Sequence, residues 1–256
     1  MIKKRIIGVV TVKENLVVQS IGYKRYLPIG SVTNVVENLD RWGADEICII
    51  CIDRSIEDKG PNDQILKEID NLFLRTPLSY GGGIRNAEDA IKVIKNGFER
   101  VIIDSLIYKG EEKLKLIADI IGKQALIYSM PCTEKDNKIF RFNYLSQKLE
   151  HVDIYNLYNL WKNGYFSEIF LVDYLNEGIK NSFKRELINF FQKDVEIPLI
   201  LFGGITDEAF IDQLFGINFV KAIAIGNSLN FKEHSIQKIK NKLKTNKVRR
   251  PYFDSI

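Results

Sequence analysis

The sequence predicts an α/β fold: a single-domain (β/α)8 TIM barrel built as a twofold half-barrel repeat. Three observations carry that expectation. Eight short apolar runs alternate with amphipathic helical patterns along 256 residues. The runs read as near-continuous Val, Ile and Leu, as parallel strands buried on both faces do. Two of the runs, 77–84 (PLSYGGGI) and 198–205 (PLILFGGI), end in glycines and stand about half the chain apart. They are the third and seventh strands, which face each other across a closed ring of eight. An open, doubly wound sheet ranks second.

The candidate strands span 6–12, 47–52, 78–80, 101–103, 125–130, 169–172, 199–202 and 222–225. Helical patterns fill the intervals. Segment 86–97 (NAEDAIKVIKNG) opens on Asn86 as N-cap and carries Glu88 and Asp89 in its first turn. It spaces its apolar residues on one face and closes on Gly97. Segment 206–216 (TDEAFIDQLFG) repeats that layout in the second half. The long segments 13–30 and 131–155 read as strand-to-helix loops, which build the active face of a barrel. Within the second, 138–143 (KIFRFN) alternates and predicts a small hairpin. No linker rich in Pro, Gly or Ser is visible, so 1–256 is read as one domain.

The net charge of +4 is spread over interspersed signs and leaves no nucleic-acid footprint. The basic cluster 238–250 reads as a solvated terminal helix. Cys48, Cys51 and Cys132 show neither metal nor disulfide spacing and are expected to be reduced, with Cys48 and Cys51 packing as small hydrophobes. No signal peptide and no apolar span of about 18 residues is present, which predicts a cytoplasmic protein without a membrane partner. His151 and His234 have no carboxylate at a meaningful spacing and read as surface residues, and Trp42 and Trp161 as packing residues. No metal or cofactor is expected. The paired glycine ends, each leading into a capped helix, suggest backbone brought close to a phosphorylated small molecule.

Arg5-Ile-Ile, Gly43-Ala-Asp-Glu46, Tyr80-Gly-Gly-Gly-Ile-Arg85, Ala87-Glu-Asp-Ala90 and Phe202-Gly-Gly-Ile205 stand in the order and spacing of one family. The chain resembles the cyclase subunit of imidazole glycerol phosphate synthase, a step of histidine biosynthesis. The likeness covers the whole chain, strongest from 43 to 105 and weakest from 131 to 165. The glycine motifs are shared with the phosphoribosyl isomerase of that pathway, whereas Arg5 and the Gly-Ala-Asp-Glu set lean towards the cyclase. The resemblance implies a heterodimer with a glutaminase docked on the N-terminal face of the barrel. Ammonia would then pass through the barrel, past a ring of charges at Arg5, Glu46, Glu168 and Arg100, the last in place of the family's Lys. Glu99 stands where the family sets an acid against a glutaminase lysine.

The catalytic positions depart from the family. The general acid and base fall on Thr11 and Pro131, neither of which titrates near neutral pH. Further family positions fall on Gln19, Cys51 (with Asp53 two residues on), Leu175 and Ile179. Lys13 ends the first strand and points to the active face. For the phosphates, Gly82, Gly83 and Ser105 fit the first site, but Asp104 replaces an Asn and would repel an anion. Gly203, Gly204, Gly226 and Asn227 make the second site the better one. The resemblance therefore implies a cyclase-like subunit whose own cyclase activity is absent or weak. Its ammonia would serve acetamidino modification of a surface sugar, with a third amidotransferase as further partner; segment 26–32 (YLPIGSV) is similar to such paralogues. The alternatives are a working histidine-pathway cyclase and a non-enzymatic phosphometabolite-binding barrel.

Overall fold

Side chains on a strand point alternately to its two faces, and here the apolar residues sort into two sets by that rule. Ile7, Val9, Cys48, Ile102, Phe170 and Ile200 belong to a small inner cluster. Their neighbours Ile6, Val10, Ile47, Val101, Ile169 and Leu199 belong to a larger outer one, packed under helices. A sheet with two buried faces needs both, and a closed barrel supplies them.

The computed structural model describes residues 3–191 and 196–250; the rest of the expected span 1–256 lies outside them. The strands are β1 (Arg5–Lys13), β2 (Leu16–Ile21), β3 (Arg25–Gly30), β4 (Glu46–Cys51), β5 (Leu78–Gly81), β6 (Arg100–Ile103), β7 (Leu126–Lys135), β8 (Lys138–Asn143), β9 (Lys148–His151), β10 (Glu168–Asp173), β11 (Leu199–Phe202) and β12 (Val220–Ile225). Eight of them pair in parallel in the order β1-β4-β5-β6-β7-β10-β11-β12, and β12 closes on β1. The helices are α1 (Val32–Arg41), α2 (Asp63–Asp70), α3 (Ala87–Lys95), α4 (Glu111–Ile121), α5 (Ile154–Lys162), α6 (Glu186–Asn189), α7 (Glu208–Phe215) and α8 (Ser235–Lys242). The chain is a single α/β domain with the TIM-barrel architecture. Among the described residues no helix is long and apolar enough to cross a membrane.

The repeat is visible in the helices that follow the two glycine ends. Asn86 Oδ1 accepts from the Asp89 amide at 2.9 Å and caps α3. In α7 the cap falls one residue later than the expected Thr206: Asp207 Oδ1 accepts from the Phe210 amide at 2.8 Å. Gly97 ends its helix with φ +81°, but Gly216 stays right-handed.

The two long segments differ from simple loops. The first is a hairpin: β1 turns at Glu14 and Asn15, both at positive φ, and β2 and β3 follow as antiparallel strands. The second keeps the expected strand at 138–143 and adds β9, with its turn at Asp136 and Asn137. Both hairpins extend from the C-terminal ends of barrel strands and cover that face. The basic tail is also less solvated than its composition suggests. Lys240 is buried in α8, bound to Asp45 at 2.8 Å, and so ties the last helix to the start of β4.

Candidate functional site

At the N-terminal end of the barrel, Arg5, Glu46, Arg100 and Glu168 are each the first residue of a strand, and all four turn inward. They meet in a closed ring. Arg5 donates to Glu46 Oε2 at 2.9 Å and to Glu168 Oε2 at 2.6 Å. Arg100 lies 3.4 Å from Glu46 Oε2 and 2.6 Å from Glu168 Oε2. Side-chain exposure is 25% for Arg5, 13% for Arg100 and Glu168, and 3% for Glu46, so the ring is shielded yet reachable from one side. Burial alone would raise the Glu168 carboxyl; Arg100 and Arg5 override it and hold it below its ordinary value. Glu46 Oε1 is buried and has no hydrogen-bond partner among the described residues. Glu99 is exposed on the same face, where its carboxylate accepts from the Leu78 amide at 2.6 Å.

Above the ring the interior is largely apolar, from Ile7 and Cys48 up to Phe170, Val172 and Phe202, with Ser79 and Ser129 in register beside Cys48 and Phe170. At its upper end Thr11 is buried on β1, and Pro131 pairs with Val172 between β7 and β10. The nearby carboxylates do not replace them. Asp173 follows Val172 on β10 and takes the outward face, where Asn176 Nδ2 and the Lys184 amide donate to it at 2.8 Å. Asp53 accepts from the Glu14 amide. Cys51 also faces outward, in the cluster under the helices. Lys13 lies 4.6 Å from the centre of the Tyr26 ring.

The glycine ends have matching backbones. Gly82 and Gly83 sit at φ +119° and +74°, Gly203 and Gly204 at +109° and +80°. A Cβ at Gly82 would lie 2.2 Å from the Cys51 carbonyl oxygen, and one at Gly203 would lie 2.6 Å from that of Asp173. Glycine is therefore required at both places by the close approach of the neighbouring strand end.

The surroundings of the two ends differ. The first opens on a cavity of about 350 Å³ whose floor includes Ile102 and Phe170 and whose cover is aromatic, with Tyr23, Phe142, Tyr144 and Tyr174. Asp104 and Ser105 are in its wall. Asp104 is ion-paired with Arg141 of β8. Burial pushes the Asp104 carboxyl up, against the pull of Arg141. The second opens on a cavity of about 610 Å³ that gathers Lys180, Lys232, Lys238 and Lys242 around Gly203, Gly204, Gly226 and Asn227. Here Asp207 is spent as the α7 cap and Glu208 pairs with Lys242 at 3.0 Å.

Between the cavities the β2–β3 hairpin is stapled down. Glu177 Oε2 accepts from Ser20 Oγ at 2.9 Å and from the Tyr23 amide at 3.3 Å, and its carbonyl accepts from the Gly22 amide at 2.8 Å. Asn227 bridges the Ser20 backbone from the other side. Burial lifts the Glu177 carboxyl to about 7. Sequence reasoning missed Glu177, Arg141, Lys180 and Lys232, and it read Lys238 and Lys242 as part of a solvated helix although they line the second cavity. Lys180 and Lys232 left no motif, because they come from separate segments, whereas Lys238 and Lys242 stand four apart on α8. Glu177 carried one signal, a lone acid before Gly178 in a strand-to-helix loop.

A closed (β/α)8 barrel with two glycine-ended strands on opposite sides and charged strand starts defines a class of twofold barrels. Comparison with known proteins narrows it. The chain belongs to the histidine biosynthesis protein family, whose sequence pattern matches residues 5–235. It is similar to a Vibrio vulnificus protein provisionally named imidazole glycerol phosphate synthase subunit hisF2. The two are 30% identical over 206 residues, covering 80% of this chain and 75% of that one. It is similar to the imidazole glycerol phosphate synthase subunit HisF of Natranaerobius thermophilus, 27% identical over 248 residues, 95% and 96% of the two chains. A hisF2-named protein of Pseudomonas aeruginosa is 26% identical over 235 residues, 90% and 92% of the two chains. The chain is thus a HisF-like member of the family, with paralogues among its relatives.

Proposed function

We propose that this barrel is the ammonia-carrying subunit of a glutamine-dependent amidotransferase, without the cyclase chemistry of the histidine pathway. The contrast between its two ends supports this reading. The four charges at the strand starts form a closed ring, while the strand ends that need an acid and a base hold Thr11 and Pro131.

In this reading a glutaminase docks over the N-terminal face, beside Glu99, and the ring of Arg5, Glu46, Arg100 and Glu168 is the gate that ammonia passes. The open oxygen of Glu46 gives the passing molecule an acceptor. The largely apolar interior above favours neutral ammonia, because an ammonium ion would lose most of its hydration there. The second glycine end, with Gly203, Gly204, Gly226 and Asn227 among lysines, is the phosphate site. The likeness of segment 26–32 to the acetamidino-sugar paralogues favours a surface sugar as acceptor, with a third amidotransferase as partner.

Size-exclusion chromatography with a cognate glutaminase tests the reading. A one-to-one complex is expected, together with no growth of a histidine auxotroph lacking its cyclase. Separate elution of the two proteins, or full rescue of the auxotroph, would count against it.

A further inference from the structure

The first cavity carries chemistry that an ammonia path does not need. Its cover is built from rings already paired with each other. Phe142 and Tyr174 stack face to face, 4.8 Å apart and inclined by 12°. Tyr144 meets Phe142 edge-on at 5.3 Å and Tyr23 edge-on at 6.0 Å. With the facing surfaces of Phe142 and Tyr174 used on one another, a planar heterocycle cannot be sandwiched between them. What remains is an aromatic platform. Around it stand hydrogen-bonding groups, Asp104, Ser105, Ser129 and Gln147.

The same wall opposes a phosphate. Arg141 is buried at this end with both terminal nitrogens engaged: they donate to the Tyr128 hydroxyl and the Asp104 carboxylate, and the guanidinium lies 4.5 Å from the Tyr108 ring centre and 4.9 Å from that of Tyr128, while Nε has no partner among the described residues. Among the described residues that line the cavity, an incoming anion would face Asp104 with the exposed Lys24 as the one cation to offset it. The volume of about 350 Å³ is near the lower end of ligand pockets, about 300–1,000 Å³. That is room for one ring, and the second cavity lies beyond the Glu177 staple.

We propose that this cavity binds an uncharged pyranose sugar. Its C–H face rests on the aromatic platform and its hydroxyls donate to Asp104, while the Asp104–Arg141 pair excludes phosphate from the first glycine end. The proposal depends on the reading above only for what happens to the sugar once bound, and binding is measured on this protein alone, so failure of either leaves the other standing.

Saturation-transfer NMR with the methyl glycosides of N-acetylglucosamine and N-acetylgalactosamine is the test, with orthophosphate and adenosine as competing probes. Transfer to at least one sugar is expected, undiminished by orthophosphate. Phe142→Leu, which keeps the site apolar, and Asp104→Asn, which keeps its shape, should each weaken sugar binding about tenfold. Asp104→Asn should also admit orthophosphate, with its 31P resonance broadened by the variant and sugar binding then competed. Transfer to neither sugar overturns the proposal. So do displacement of sugar by orthophosphate in the unaltered protein, and adenosine binding that depends on Phe142.

Discussion

Glu177 is the acid whose chemistry the fold changes in a way that solution measurements can read. Burial raises its folded pKa to about 7 from an ordinary 4.5. The folded chain then binds this proton at a higher pH than the unfolded chain does. Its contribution favours folding fully below pH 4.5 and is lost as pH rises through 7, a span of about 3 kcal/mol. Glu177→Gln keeps an acceptor for Ser20 and Tyr23 but cannot ionise. Urea unfolding should show the variant's stability relative to the unaltered protein improving by about 2 kcal/mol between pH 5 and pH 8; a difference constant with pH would refute the assignment. In the ring, Glu46→Ala leaves Arg5 and Arg100 sharing Glu168 alone and should cost about 3 kcal/mol. An Arg5→Met and Glu46→Leu double substitution should cost less than the sum of the single changes, read as a double-mutant cycle. The sequence exposed Thr11 and Pro131 because a missing acid shows in a single letter. It hid Arg141, whose partner Asp104 lies 37 residues away in the chain.

At the scale of elements, the glycine ends act through backbone geometry. Gly82→Ala and Gly203→Ala each place a methyl against a carbonyl oxygen in a left-handed conformation and should lower stability by about 3 kcal/mol or more. Gly30→Ala, with open space around it and no positive φ, should change it by less than about 1 kcal/mol. Thermal unfolding of the three variants separates close packing from a general intolerance of substitution. Asn227→Ala removes the bond that holds β2–β3 from the β12 side and should speed hydrogen exchange of the Ser20 amide, with β11 unaffected. The β2–β3 hairpin was partly legible. Glu14-Asn15 separates two apolar runs as Asp136-Asn137 does, and both pairs adopt positive φ. The alternation of 138–143 is clear, whereas Leu16-Val17-Val18 is apolar without alternation and reads as loop or strand alike.

At the scale of the molecule, the fold was legible because parallel barrel strands are apolar on both faces and their helices are capped, so periodicity and punctuation agree. The charge ring was legible only through the family resemblance. Nothing in the spacing of Arg5, Glu46, Arg100 and Glu168 says that four strand starts converge, since closure of β10 on β7 and of β12 on β1 brings them together. The cavities were legible in place, from the glycine ends and the two long segments over the active face, but not in shape or lining, because they arise from hairpins folding over the mouth. The central claim is that the lower end of this barrel serves a glutaminase while its upper end has lost cyclase chemistry. Glutamine hydrolysis by a cognate glutaminase, measured with and without this protein, tests it most directly. The account predicts that adding the barrel raises the rate by about tenfold or more, at least about 1.4 kcal/mol of barrier. An unchanged rate with saturating barrel protein would contradict it.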